Sequence, residues 1–265
     1  MPSASVLAVL RNEMRNRKLP AKTLAVLADP IFDKEDERFM AAGKNKPQTE
    51  YVAVSKKRIR SAEFSLKRGG GLDLPRLPFT RREADLIGAN VAENQKEKLL
   101  DFAANRKSAM SADLSNFRYV HFATHGFINN ENPELSGIVF STIDENGKDR
   151  DGFLRVGDIY NLKLPAEMVV LSGCRTGLGK EIKGEGLVGL TRGFMYAGAK
   201  RVTVSLWDVN DKATAELMAS FYREMLGKKL APASALRQAQ ISMIKSKEWS
   251  NPYFWATFIL QGEPK

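Results

Sequence analysis

Runs of apolar residues alternate along the chain with segments in which apolar residues recur every three or four positions. The first pattern predicts buried strands and the second predicts amphipathic helices. The predicted strands are Lys22–Ala28, Lys98–Phe102, Arg118–Thr124, Ile138–Thr142, Met168–Ser172 and Lys200–Leu206, and Tyr253–Gln261 closes the set. The predicted helices are Thr80–Glu93, Arg106–Leu114, Val156–Asn161, Glu185–Tyr196, Asp211–Leu226 and Ala231–Ile244. Because parallel strands need crossover helices to connect them, this order predicts an α/β fold with a mostly parallel sheet covered by helices on both faces.

Two local signals predict boundaries around the first strand. Proline cannot continue a central ladder, so this strand is expected to stop at Asp29-Pro30. Thr80, followed by Glu83 three residues later, has the pattern of a helix N-cap.

The segment from Phe32 to Leu77 lacks this periodicity and is rich in charge. It contains the basic runs Lys56–Arg60 and Lys67–Arg68. Such a composition buries too little apolar surface to offset the entropy of ordering the chain. We therefore expect a single domain over residues 1–265 that carries a basic, mobile insertion or loop at residues 33–77.

The net charge of +10 is concentrated at one end of the chain. The first 82 residues hold 18 of the 41 basic side chains and only 9 of the 31 acidic ones. Nucleic-acid binding is one interpretation, but the aromatic residues interleaved with basic ones that stack on bases are not found as a pattern in residues 44–71. A solvated basic surface is the favoured interpretation.

Composition also excludes several classes of protein. No stretch approaches the roughly 20 apolar residues of a membrane-spanning helix, and the first residues lack the basic region and apolar core of a secretion signal. We therefore expect a cytoplasmic protein. The chain has one cysteine, Cys174, which cannot form an internal disulfide.

Two chemically active side chains directly follow predicted buried strands. His125 follows one strand and Cys174 follows another, and each has a glycine beside it, Gly126 and Gly173. In open α/β sheets the ligand site lies at the carboxyl ends of the strands. A thiol with a pKa of about 8.5 becomes a nucleophile at neutral pH when an imidazole takes its proton. The N–H groups of Gly126 and Cys174 are the matching candidates for an oxyanion hole.

Other interpretations of these residues stay open at this stage. A lone cysteine or histidine at a strand end is often a packed structural residue, and we assign His121 to packing. A zinc site would need more ligands than one cysteine and two histidines supply. The glycines after Cys174 lack the lysine-hydroxyl ending of a phosphate-binding loop.

The chain resembles the CHAT domain, a caspase-like relative of separase. The resemblance rests on six segments that occur in the family's order: His121–Gly126, Asn132–Gly137, Asp151–Leu154, Leu171–Gly177, Gly184–Leu187 and Ser205–Asp211. Ala25–Phe32 and Leu74–Ala84 also look like the family's N-terminal part. The resemblance implies a caspase–hemoglobinase-like three-layer sandwich and a catalytic dyad of His125 and Cys174.

Similarity to caspases also implies where the substrate side chain before the cut would bind. The residues after the strand that ends near Ser205 form that pocket wall in caspases, so Trp207, Asp208 and Asp211 are candidates here, together with Ser172. An acid at 208 or 211 favours a basic substrate side chain through ion pairing. The alternative is that Asp208 or Asp211 caps the helix that follows.

These observations predict a cysteine endopeptidase that acts on protein or peptide substrates without a cofactor or metal. A tetratricopeptide-repeat module, which the family often carries, is the implied regulator, and the basic runs at 56–60 and 67–68 are candidate self-cleavage sites. The alternative is a catalytically silent caspase-like signalling or scaffold module. No membrane partner is expected, and a nucleic-acid partner is the weaker hypothesis.

Overall fold

A computed structural model describes residues 11–12, 17–43, 74–129, 133–175, 185–207 and 210–263. Its strands are β1 (Lys22–Pro30), β2 (Lys96–Asp101), β3 (Phe117–Ala123), β4 (Gly126–Phe127), β5 (Gly137–Val139), β6 (Phe153–Arg155), β7 (Met168–Leu171), β8 (Cys174–Arg175), β9 (Arg201–Ser205) and β10 (Phe258–Gly262). Its α-helices are α1 (Glu37–Gly43), α2 (Phe79–Gly88), α3 (Arg106–Ala109), α4 (Val156–Tyr160), α5 (Glu185–Tyr196), α6 (Asp211–Tyr222), α7 (Pro232–Lys245) and α8 (Pro252–Trp255).

Six strands form the central sheet in the order β10-β9-β7-β3-β1-β2. The five strands from β9 to β2 are parallel, and β10 is antiparallel at the edge. The predicted α/β fold with a mostly parallel sheet is therefore confirmed.

Both faces of this sheet are buried, as the continuous apolar strands predict. Along β1, Leu24, Val26 and Ala28 pack in one core with side chains of α2, α6 and α7. Ala25 and Leu27 point to the opposite face, into a second core that includes side chains of α4 and α5. The helices thus form a layer on each side of the sheet, which gives a three-layer sandwich.

A second, smaller sheet in the order β6-β5-β4-β8 was not predicted. β4 follows β3 after two residues, and β8 follows β7 after two residues. This sheet therefore continues from the carboxyl ends of two central strands, where the sequence places the candidate chemistry.

The first strand runs further than expected. It includes Pro30, which pairs with Asp101 of β2 across a bulge. Asp29 lies in the bulge with a positive φ of 49°, a left-handed conformation that asparagine and aspartate adopt more readily than most residues. Because the bulge interrupts the regular ladder, the proline is accommodated near the end of the strand.

The predicted N-cap of α2 is also wrong. The helix begins at Phe79 after Pro78, and the Thr80 hydroxyl donates to the carbonyl of Leu77 and accepts from the amide of Asp29. Thr80 therefore joins the helix to the end of β1. The helix stops at Gly88 rather than near Glu93.

The structure describes only the two ends of the predicted insertion, residues 33–43 and 74–77. Residues 37–43 form α1, so this part of the segment is helical rather than a loop. Lys56–Arg60 and Lys67–Arg68 lie outside the described residues, and the expectation of a mobile basic loop stays a prediction. Among the described residues, no helix has the length and hydrophobicity needed to cross a membrane.

Candidate active site

The two predicted dyad residues lie at the beginning of two adjacent parallel strands of the small sheet. His125 immediately precedes β4 and Cys174 begins β8. Gly126 pairs with Cys174, and the Gly126 amide donates a hydrogen bond to the Gly173 carbonyl at 3.2 Å. The fold thus brings together the backbones of residues that are 49 positions apart in the sequence. The sulfur-to-ring distance lies outside what the structure describes.

Gly173 is required by the close approach of another strand end. A Cβ atom at this position would lie 2.4 Å from the carbonyl oxygen of Thr124, closer than any real contact allows. A glycine beside a candidate nucleophile can serve to let a substrate approach the backbone closely. At Gly173 the structure gives a packing reason instead, because the missing side chain lets β7 and β3 continue side by side into β8 and β4.

His125 is held by a backbone carbonyl. Its ring is 4% exposed, and Nε2 lies 2.7 Å from the carbonyl oxygen of Pro75. The ring also packs against Phe32, with 5.4 Å between the ring centroids. Because a carbonyl oxygen only accepts, Nε2 carries the hydrogen. In the neutral ring, Nδ1 then has the lone pair and is the nitrogen able to take up a proton.

Sequence reasoning missed Pro75 as part of this site. A backbone carbonyl has no side-chain signature, and Pro75 lies at the edge of the segment expected to be an insertion. The only relevant signal was the resemblance of Leu74–Ala84 to the family's N-terminal part. That signal placed the segment in the fold but gave its carbonyl groups no role.

One predicted oxyanion donor is engaged elsewhere in this conformation. The Gly126 amide donates to Gly173 within the β4–β8 ladder. The same N–H can bind a substrate oxyanion only after this hydrogen bond lengthens or breaks, since an amide has a single hydrogen to donate. The predicted role of Gly126 therefore requires a change at the start of β8.

His121 belongs to the interior, as the sequence analysis assigned it. The ring is fully buried, with Nε2 2.7 Å from Glu83 Oε1 and 3.1 Å from Ser172 Oγ, while Nδ1 lies 3.1 Å from the Tyr222 hydroxyl. Glu83 and Ser172 share the same ring nitrogen. A relay triad needs the acid and the nucleophile on opposite nitrogens, so this cluster is structural.

This arrangement also assigns an internal contact to Ser172, which was a substrate-binding candidate. Its side chain is completely buried, and its hydroxyl faces the ring of His121. A group in this position cannot reach a substrate that binds at the protein surface.

The side chain of Asp211, the first residue of α6, reaches the start of α2. Its carboxylate accepts a hydrogen bond from the Phe79 amide at 2.8 Å, where an acid is favoured because the N-terminal amides of a helix are unpaired. Burial, with the nearby charges of Glu83 and Asp29, raises the pKa of Asp211 to about 6. Asp211 thus joins α6 to α2.

The remaining pocket candidates lie at the end of β9. The indole N–H of Trp207 donates to the carbonyl of Tyr253 at 3.1 Å and the ring is half-buried. Asp208 lies outside the described residues. The side chain that caps α6 is that of Asn210, which accepts from the Ala213 amide at 3.0 Å.

The three-layer sandwich, with a histidine and a cysteine at the beginning of two adjacent strands beyond the carboxyl edge of its central sheet, defines a caspase-like protein. Residues 1–263 match the family model of the CHAT domain. The chain therefore belongs to the CHAT domain family.

Two curated relatives extend this comparison. The chain is similar to tetratricopeptide repeat protein 28 of Homo sapiens, with 31% identity over an alignment of 195 residues that covers 63% of this chain and 8% of the human protein. It is also similar to tetratricopeptide repeat protein 28 of Mus musculus, with 38% identity over 113 residues, or 43% of this chain and 4% of the mouse protein. The chain thus spans only a small part of the length of these relatives.

Proposed function

We propose that this CHAT domain is a cysteine endopeptidase in which Cys174 is the nucleophile and His125 is its base. The observation that carries the proposal is the pairing of Gly126 with Cys174 on adjacent parallel strands. The hydrogen bond from His125 Nε2 to the Pro75 carbonyl supports it further, because it assigns Nδ1 as the proton acceptor.

In this mechanism Nδ1 of His125 takes the proton of the Cys174 thiol. The thiolate attacks the carbonyl carbon of the scissile peptide bond, and the tetrahedral intermediate collapses to an acyl-enzyme as the imidazolium returns its proton to the leaving amine. His125 then removes a proton from a water molecule, which hydrolyses the thioester and regenerates the thiol. The Pro75 carbonyl stabilises the imidazolium by accepting the Nε2–H bond.

We further propose that the domain is regulated by a partner. The oxyanion generated in the first step needs the Gly126 N–H, which donates to Gly173 in the present conformation. A partner that moves the start of β8 would release this donor and so raise the rate. Since the curated relatives are named as tetratricopeptide repeat proteins, a tetratricopeptide module is the partner we propose.

The proposed cleavage follows a basic residue. Asp208, next to Trp207, is the acid we assign to this preference, because the carboxylate of Asp211 is occupied at the Phe79 amide. A peptide library with varied residues before the scissile bond tests this assignment. Arg or Lys is expected there, and a preference for leucine or aspartate would contradict it.

The decisive test of the dyad uses the single cysteine, since labelling of this chain by a thiol-directed electrophile reports on Cys174 alone. Wild type, His125→Ala and the control Arg82→Ala are treated with an acyloxymethyl ketone probe. Arg82 is an exposed partner of Glu216 and lies outside the proposed machinery. We expect a loss of labelling on the order of 100-fold in His125→Ala and little change in the control.

Equal labelling of wild type and His125→Ala would instead favour a catalytically silent signalling or scaffold module. The engaged Gly126 amide is the observation that favours this second candidate. Intact mass after incubation, with Cys174→Ala as the control, tests self-cleavage at the basic runs. We propose the cytoplasm as the site of action, a compartment in which a free thiol stays reduced.

A further inference from the structure

Arg76, the residue after Pro75, makes a bidentate ion pair with Asp29 at the end of β1. Arg76 Nε lies 3.0 Å from Asp29 Oδ1, and Arg76 Nη2 lies 3.0 Å from Asp29 Oδ2. The Asp29 carboxylate is completely buried. A guanidinium bound to both oxygens of a carboxylate is fixed in orientation as well as in distance.

From this contact we infer that Arg76 is a positioning residue for His125, an inference that rests on the proposed function. The Pro75 carbonyl belongs to the planar peptide unit that also contains the nitrogen and Cα of Arg76. An ion pair that fixes Arg76 therefore restricts where the Pro75 oxygen lies. That oxygen holds Nε2 of His125 at 2.7 Å.

The other end of the segment is fixed as well. The Phe79 amide donates to Asp211, and the Thr80 hydroxyl donates to the Leu77 carbonyl. Residues 75–80 are thus attached to the core at both ends, with Arg76 as the attachment nearest to His125. Loss of Arg76 would release the carbonyl end and leave the helix end in place.

Two further arginines bind the Asp29 carboxylate, so the positioning role of Arg76 can be tested apart from its contribution to stability. Arg81 Nε and Arg38 Nη1 each lie 2.8 Å from Asp29 Oδ2. When Arg76 is replaced, these two cations still neutralise the buried carboxylate of Asp29. The large penalty of an unpaired buried charge is therefore avoided, and the main effect falls on the Pro75 carbonyl.

The expected consequence is a change in the state of the His125 ring. With the acceptor displaced, the Nε2 hydrogen exchanges faster with water and the imidazolium loses a stabilising hydrogen bond. A less stable imidazolium makes the thiolate of Cys174 harder to form. Both effects are measurable without a known substrate.

The experiment compares wild type with Arg76→Met, Arg76→Lys and the matched control Arg82→Met. The chain has two histidines, so NMR of protein labelled with ¹⁵N-histidine follows the ring N–H of His125, which a His125→Ala sample assigns. The buried N–H of His121 is the internal reference for an intact fold. The rate of alkylation of Cys174 by iodoacetamide at pH 6.5 is the second readout.

In Arg76→Met we expect exchange of the His125 Nε2–H to accelerate at least about tenfold while the His121 signal is unchanged. Alkylation should slow by about threefold, because less thiolate is present at pH 6.5. Arg76→Lys keeps the positive charge but cannot bind both oxygens of Asp29, so its exchange and alkylation rates should lie between those of wild type and Arg76→Met. Arg82→Met should behave as wild type.

A wild-type exchange rate for His125 in Arg76→Met would overturn the inference. If the His121 signal also changes, the fold of that variant is disturbed, and the same exchange criterion is applied to Arg76→Lys. Failure of the proposed function gives a different result, since alkylation would then be equal in wild type and His125→Ala. The exchange measurement decides the role of Arg76 in either case.

Discussion

Replacement of His121 by leucine tests how much the buried polar cluster under the site contributes to stability. The ring of His121 is fully buried and joins Glu83, Ser172 and Tyr222. Glu83 is also fully buried, and its Oε2 makes no hydrogen bond to any described residue. The 2.7 Å contact of Oε1 with His121 Nε2 is therefore the main polar interaction of this carboxyl group.

The magnitude follows from what each substitution leaves behind. His121→Leu keeps a similar volume but leaves three buried polar groups, the Glu83 carboxyl group and the hydroxyls of Ser172 and Tyr222, without their ring partner. At about 1–3 kcal/mol for each buried group left without a partner, the total loss is about 3–5 kcal/mol. Tyr222→Phe removes only the hydroxyl at Nδ1 and should cost about 1–3 kcal/mol. Since domains unfold with about 5–15 kcal/mol, His121→Leu should remove a large part of the total stability.

Urea unfolding followed by circular dichroism measures both effects. The double variant Glu83→Leu with His121→Leu provides the control, because it removes both members of the pair and leaves neither one buried alone. We expect it to be more stable than the sum of the two single changes by about 2 kcal/mol. A loss below about 1 kcal/mol in His121→Leu, or strictly additive single changes, would refute this account of the cluster.

Three further predictions concern residues around the site. Because the pKa of Asp211 is raised to about 6 by burial, the stability linked to it is complete below the unfolded pKa of 3.8 and is lost as the pH rises through about 6. Asp211→Asn should therefore stabilise the protein by about 1 kcal/mol at pH 7.5, after allowance for solvent screening. The gain should be much smaller at pH 4, and the amide oxygen of the variant can still accept the hydrogen bond from Phe79. Equal shifts of the urea midpoint at the two pH values would contradict this. Gly173→Ala places a Cβ 2.4 Å from the Thr124 carbonyl oxygen. We therefore expect the free energy of unfolding to fall by about 1–3 kcal/mol and alkylation of the thiol to slow. Wild-type behaviour in both measurements would count against the close approach. Ser172→Ala should cost about 1 kcal/mol and leave the peptide preference unchanged, and an altered preference would return this residue to the substrate pocket.

The sequence predicted the central elements well because their patterns are long enough to be periodic. The helix predicted at Glu185–Tyr196 has the same bounds in the structure, and the strand predicted at Lys200–Leu206 is observed at Arg201–Ser205. The apolar runs of parallel strands are uninterrupted because both faces of the sheet are covered. Fold class and the order of the central strands therefore followed from the hydrophobic pattern alone. The strand predicted at Tyr253–Gln261 is wrong in its first part, which is helix α8 (Pro252–Trp255) before β10 begins at Phe258.

The small sheet was missed because most of its strands are too short to show a period, and only β5 overlaps a predicted strand, Ile138–Thr142. β4 and β8 have two residues each, and β5 and β6 have three. Their formation depends on the preceding central strands, which bring Gly126 and Cys174 side by side. Tertiary context, rather than local preference, creates these elements.

In the candidate site, too, the sequence predicted the side-chain groups better than the backbone groups. Sequence reasoning proposed His125 and Cys174, whose chemistry resides in their side chains. It missed the Pro75 carbonyl and expected the Gly126 amide to be available, because hydrogen bonds of the main chain depend on which strands become neighbours. Both backbone groups act on the proposed reaction, one by orienting the base and the other by supplying or withholding an oxyanion donor.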